Sequence, residues 1–185
     1  NERMIFFLFG LGLIIGSFLN VVIFRLNTRR SFGGRSACMS CQKKLCWYEL
    51  VPVLSFIILK GRCLRCKTKI SLQYPFIEFV TATLFAALFL KLENAFSTAP
   101  FAFVTTYAFY AAVFSLLLVV SVYDIKHKII PDSVVFLLAA LSFFGMFFFN
   151  IDDARLFYPH LPTLWQFLSG FMLAAPFALL WLVSS

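Results

Sequence analysis

Four of the five cysteines in this sequence form two pairs of identical spacing, Cys38-Met-Ser-Cys41 and Cys63-Leu-Arg-Cys66. With 21 residues between the pairs, the arrangement is close to that of a four-cysteine zinc ribbon, where each C-x-x-C turn offers two thiolates to one tetrahedral metal. Lys43, Lys44, Arg62, Arg65 and Lys67 flank the pairs. Positive neighbours favour the thiolate form that a metal requires and offset the charge of a tetrathiolate site. The competing reading is two disulfides or free thiols, and a reducing cytoplasm counts against stable disulfides. Cys46, five residues beyond Cys41, reads as an ordinary buried side chain.

A second chemical candidate is Asp124, in Ser121-Val-Tyr-Asp124-Ile-Lys-His-Lys-Ile-Ile-Pro131-Asp132. It closes an uncharged apolar run, and an ionisable group at a membrane boundary is costly enough that it generally has a task or a partner. Ion pairing with Lys126 or Lys128 is the plainer alternative. Pro131 ends helical hydrogen bonding and starts the next run, so Asp132 falls where a helix dipole favours a carboxylate and reads as a cap rather than a catalyst.

The elements that must position these groups are hydrophobic. The 185 residues are 62% hydrophobic and only 13% charged, with 26 Phe and a mean hydropathy of +0.91. Soluble domains average about 45–50% apolar and about 25% charged, which excludes an ordinary soluble protein and with it a soluble nucleic-acid binder. The net charge of +8 then reads as loop charge beside membrane spans.

A helix needs about 20 apolar residues to cross about 30 Å of hydrocarbon, and five runs approach or exceed this: 4–24, 76–90, 101–123, 133–149 and 164–183. The first has an unsuitable Glu2 and no small-residue cleavage site, so it is expected to remain as an anchor. Between Arg25 and Lys69 lie eleven of the sixteen basic residues and the single acid Glu49, which predicts a cytoplasmic segment. Residues 91–100 and 150–163 then face outward, and 124–132 inward. The expected fold is an all-α polytopic membrane protein of about five transmembrane helices with a small cytoplasmic zinc-binding loop domain. Its divisions are helix 1 at 1–24, the four-cysteine domain at 25–75, and a transmembrane domain at 76–185.

Two further signals concern packing. Gly12 and Gly16 stand in G-x-x-x-G register, which lets another helix approach closely, and Asn20 inside the same apolar run requires a hydrogen-bond partner facing protein. Residues 47–60 are apolar, broken by Pro52 and too short to span. They fit a metal-stapled domain lying against the membrane, whose small core leaves much of the folding free energy to the metal.

Taken in order, Gly16-Ser-Phe-Leu-Asn20-Val-Val-Ile-Phe-Arg25-Leu, the two cysteine turns enclosing Trp47-Tyr-Glu-Leu-Val-Pro52 and Lys60-Gly-Arg-Cys63, Ile70-Ser-Leu-Gln-Tyr-Pro75 with Glu78, and Asp124 through Ile130-Pro-Asp132 resemble the bacterial type IV prepilin peptidases. The resemblance covers nearly the whole chain. It implies a membrane aspartic peptidase of the bacterial inner membrane that removes the leader of prepilins or pseudopilins at the cytoplasmic face. It also implies N-methylation of the new terminus with S-adenosylmethionine, since the cysteine loop marks the two-activity branch. Preflagellin-type peptidases are the nearest alternative, although the cysteine loop is not typical of them.

On this resemblance Asp124 is the first catalytic aspartate, Cys38, Cys41, Cys63 and Cys66 hold structural zinc, and Glu49 or Glu78 is a candidate contact for the amine or methyl donor. The family's second aspartate belongs to a Gly-x-Gly-Asp motif that the sequence does not contain. One carboxyl must be ionised to activate water while another is protonated to polarise the peptide carbonyl. The expectation is therefore a C-terminally truncated portion of a longer protein, inactive alone as a peptidase. No Gly-rich turn after a strand is present to house the methyl donor. Two other functions remain open: a membrane thiol oxidoreductase using the C-x-x-C pairs, which would hold no metal, and a noncatalytic membrane assembly protein, which would tolerate loss of Asp124.

Overall fold

The structure is a computed structural model and describes residues 1–26, 28, 34–148, 163–165 and 168. Among the described residues the apolar runs fold as helices, and the three longest are α1 (Glu2–Arg25), α3 (Gln73–Thr98) and α4 (Pro100–His127). At about 1.5 Å per residue they measure about 36–42 Å, and all three are long and apolar enough to cross a membrane. α5 (Asp132–Phe148) is a shorter apolar helix of 17 residues. Between α1 and α3 the chain forms a 3-10 turn (Trp47–Leu50) and the short helix α2 (Leu54–Ile58). The fifth expected span, 164–183, lies almost entirely outside the described residues, as do Asp152 and Asp153.

The second span is longer than its hydropathy indicates. Charged Lys91 and Glu93 end the apolar run, yet α3 continues to Thr98 because Leu92 and Ala95 are buried in a cluster with Phe89 of α3 and Phe103 and Tyr107 of α4. The loop expected at 91–100 is consequently a single residue, Ala99, followed by Pro100 in the first turn of α4. Proline fits there because its missing N–H lies where no helical acceptor exists.

α1 and α3 run antiparallel in close contact. A Cβ on Gly12 would lie 2.6 Å from Ala82 Cα, and one on Gly16 would lie 2.7 Å from Glu78 Cα. Both glycines are thus required by the approach of the two backbones, as the G-x-x-x-G register predicts. Gly10 meets nothing within 4 Å. One end of the interface is filled by Leu8, Phe85, Phe89, Phe103 and Tyr107, and the other by Leu19, Ile23, Ile77, Val119 and Val134. The Tyr107 hydroxyl donates to Phe85 O at 3.0 Å, tying α4 to α3. Phe6, Phe18, Phe101 and Phe136 remain exposed, an outward apolar surface suited to lipid tails.

Candidate functional site

The cysteine loop is built twice from the same local pattern, shifted by 25 residues. In the first turn Cys38 N–H donates to Lys43 O, Gln42 N–H to Cys38 O and Leu45 N–H to Ser36 O. In the second, Cys63 N–H donates to Thr68 O, Lys67 N–H to Cys63 O and Ile70 N–H to Gly61 O. Gln42 and Lys67 occupy matching positions with φ of 55° and 58°, a left-handed turn that brings the chain back across each cysteine pair. The matching bridges Ala37 to Lys44 and Arg62 to Lys69 close both hairpins. Gly61, at φ 64°, ends α2 with its N–H on Phe56 O and leads into the second turn.

Folding the two turns together brings the Sγ atoms of Cys38, Cys41, Cys63 and Cys66 within 4.8 Å of one another, a cluster able to hold a metal ion. Cys38 and Cys66 are 3.7 Å apart. Cys46 stands outside the cluster and is half-buried rather than buried. Backbone N–H groups of Cys41 and Ser40 draw the Cys38 thiol below its usual range. Thr68, through its hydroxyl and backbone, draws Cys66 down to about 6. The Lys43 backbone N–H also favours the Cys41 thiolate, but desolvation and the three neighbouring sulfurs outweigh it and push Cys41 up to about 11. Four crowded thiols cannot all ionise unless a cation neutralises them, so the donor set fits a thiophilic metal.

Beneath the loop, against α1 and α3, lies a cavity of about 770 Å³ lined by Asn20, Phe24, Glu49, Tyr74 and Glu78 among others. Glu49 Oε2 accepts the Cys46 N–H at 2.8 Å and fixes the 3-10 turn. Glu78 Oε2 accepts the Val53 N–H at 2.8 Å, reaching from α3 into the loop. Val53 is a β-branched residue at φ 58°, a conformation that persists only where surrounding contacts hold it. Asn20 finds the partners its sequence position demands, donating through Nδ2 to Gly16 O at 3.3 Å and Tyr74 O at 3.1 Å. Sequence reasoning flagged Asn20, Glu49 and Glu78 separately but missed that they share one cavity. It also missed Phe24 and Tyr74, whose rings stack at 4.9 Å; aromatic residues are too common in this chain to stand out.

Asp124 lies exposed in the last turn of α4. Its carbonyl accepts the Lys128 N–H at 2.6 Å, and Lys128 closes the helix in a left-handed conformation. Lys126, one of the two lysines that the sequence offers as an ion-pair partner, places Nζ 3.6 Å over the Phe24 ring. That contact puts the Asp124 turn at the same end of the bundle as the end of α1, the cavity and the cysteine loop. The Pro131 carbonyl accepts from Val134 and Val135, which leaves Asp132 in the first turn of α5, where the dipole favours its carboxylate.

Residues 10–92 match the family described as the bacterial peptidase A24 N-terminal domain. A prepilin leader peptidase/N-methyltransferase of Myxococcus xanthus is 38% identical over 128 residues, covering 69% of this chain and 36% of the relative. One of Bacillus subtilis is 38% identical over 133 residues, covering 71% and 50%. One of Vibrio cholerae is 43% identical over 75 residues, covering 36% and 30%. The chain thus spans half or less of the length of these relatives. No solved structure matches it. Over residues 10–92 the chain is thus similar to the bacterial peptidase A24 N-terminal domain, and over most of its length it is similar to prepilin leader peptidase/N-methyltransferases.

Proposed function

We propose that this chain is part of a leader peptidase and N-methyltransferase that cleaves type IV prepilins or pseudopilins at the cytoplasmic face of the bacterial inner membrane and methylates the new N-terminus. The named relatives support the two activities. The observation that carries the reading is structural: a four-thiol centre and an acid at a helix end occupy one end of an apolar helix bundle. In this reading Asp124 supplies one carboxyl of an aspartic pair. Its exposure at the end of α4 leaves it accessible to water and a peptide bond, while the substrate's apolar segment lies among the spans. The second carboxyl belongs to the family's Gly-x-Gly-Asp motif, and the pair divides the roles of base and acid.

Zinc is the metal we assign to the four cysteines. Bonds of about 2.3 Å in a tetrahedron require sulfurs about 3.8 Å apart, and the Cys38–Cys66 separation of 3.7 Å fits. Bound there, zinc supplies a cross-link between the two turns. The division into an anchor at 1–24, a cytoplasmic loop domain at 25–75 and a transmembrane peptidase domain at 76–185 follows the same reading. S-adenosylmethionine is the methyl donor, with Glu49 and Glu78 at the candidate cavity. The exposed Asp124 is tested by assaying prepilin cleavage by the intact protein and its Asp124→Asn variant, with mass spectrometry of the mature terminus. Loss of cleavage is expected; unchanged turnover would defeat the assignment. Metal analysis separates this reading from a thiol oxidoreductase, whose cysteines would carry none.

A further inference from the structure

The cavity under the cysteine loop presents hydrogen-bond acceptors on its helix side. Asn20 is only 2% exposed. Because its Nδ2 is committed to the carbonyls of Gly16 and Tyr74, the amide orientation is set, and Oδ1 is left buried without a donor. Buried polar atoms are nearly always paired, so an orphan beside a cavity marks a place where a ligand donor is wanted. One helical turn before Asn20, Gly16 brings the α1 backbone against Glu78, which lines the same space and accepts the Val53 N–H through Oε2. The stacked Phe24 and Tyr74 rings form an adjoining wall.

We propose that this cavity receives a primary ammonium group carried on an apolar or aromatic body, with Asn20 Oδ1 and the Glu78 carboxyl as its acceptors. Arg25, Arg35 and Lys69 line the cavity too, so it is not a general trap for cations. It selects a group that donates N–H bonds while its body packs on the rings. The volume of about 770 Å³ is in the usual range for a nucleoside-sized ligand, roughly 300–1,000 Å³. The inference rests on the methyltransferase reading and deepens it, because that reading supplies two ammonium groups: the methionyl end of S-adenosylmethionine and the new N-terminus of the cleaved polypeptide. Lys126, two residues from Asp124, lies on the Phe24 ring that also lines the cavity, so the cavity and the Asp124 turn share one end of the bundle.

The test uses the intact zinc-loaded protein in bilayer discs and two ligand pairs. The first pair is S-adenosylhomocysteine and its analogue lacking the amino group; the second is a peptide with a free mature prepilin N-terminus and its N-acetylated form. Preference for the ammonium form by roughly tenfold or more is expected in at least one pair, since a charge-assisted hydrogen bond is lost in the other form. A preference in the first pair assigns the methyl donor, and in the second the polypeptide. Asn20→Leu should erase the preference. Should that variant lose zinc or helix content, Glu78→Gln serves instead and should reduce the preference severalfold. Equal binding within both pairs, absence of binding in both, or a preference retained in the folded variants would overturn the proposal. Methylation by a protein that shows no such preference would sink this inference alone, whereas absence of both cleavage and methylation would sink the reading beneath it.

Discussion

At one end of the bundle, the turns around Cys38 and Cys63 close through hydrogen bonds that reach no farther than Ser36 to Leu45 and Gly61 to Ile70, whereas Asp124 is placed by a helix that begins at Pro100. The first region encodes its geometry in ten-residue pieces and gathers four sulfurs able to hold a metal ion. The second depends on the packing of α4 against α3 and α1, through Val119, Phe103 and Tyr107, to bring an exposed acid to the same end of the bundle as the loop. Loss of metal should therefore be a local folding event in the loop, and loss of the acid a chemical event with no folding consequence.

The largest effect is expected from the metal. Structural zinc contributes apparent binding energies of about 10–16 kcal/mol in small zinc peptides, so chelation, or Cys63→Ser, should unfold residues 36–70 while α1, α3 and α4 keep their helicity. Limited proteolysis and circular dichroism of the same samples check this, and a loop that stays protected without metal would break the contrast. Next comes Asp124→Asn in the intact protein, which should cut cleavage by about 10²–10⁴-fold, the range for a lost acid–base group. Metal content should not change, and thermal stability should move by no more than about 0.5 kcal/mol, as for other exposed sites.

Smaller effects sharpen how the two regions are tied together. Gly16→Ala forces a Cβ to within 2.7 Å of Glu78 Cα and should cost about 1–3 kcal/mol, the usual range for overpacking. The same change at Gly10, which faces open space, should cost nothing. Melting temperatures of the two variants in one detergent make the comparison, and equal losses would contradict the α1–α3 interface described. Lys126→Met removes the cation from the Phe24 ring, and thermal unfolding should register a loss of about 0.5–1 kcal/mol.

The cysteine tetrad was legible because spacing along the chain is itself the signal: Cys-x-x-Cys followed by a residue able to turn left-handed places two sulfurs together before any long-range contact forms. The spans were legible for a similar reason, since hydropathy averages over neighbours. The end of α3 was not, because Leu92 and Ala95 are held by residues on another helix while the local charge of Lys91 and Glu93 points the other way. Glu78 was visible as an acid in an apolar run, yet nothing local indicates that it would hold the N–H of Val53, 25 positions away.

By itself the sequence determined that this chain is a set of apolar helices carrying a basic four-cysteine loop and an acid at a helix end, because composition, apolar run length and cysteine spacing act over short stretches of chain. Only the tertiary structure decided which faces meet: Gly12 and Gly16 against α3, Lys126 over Phe24, and Asn20, Glu49 and Glu78 around one cavity. Those contacts follow from the rotation and offset of helices packed side by side, quantities set by the fit of side chains on both partners and written in neither one alone.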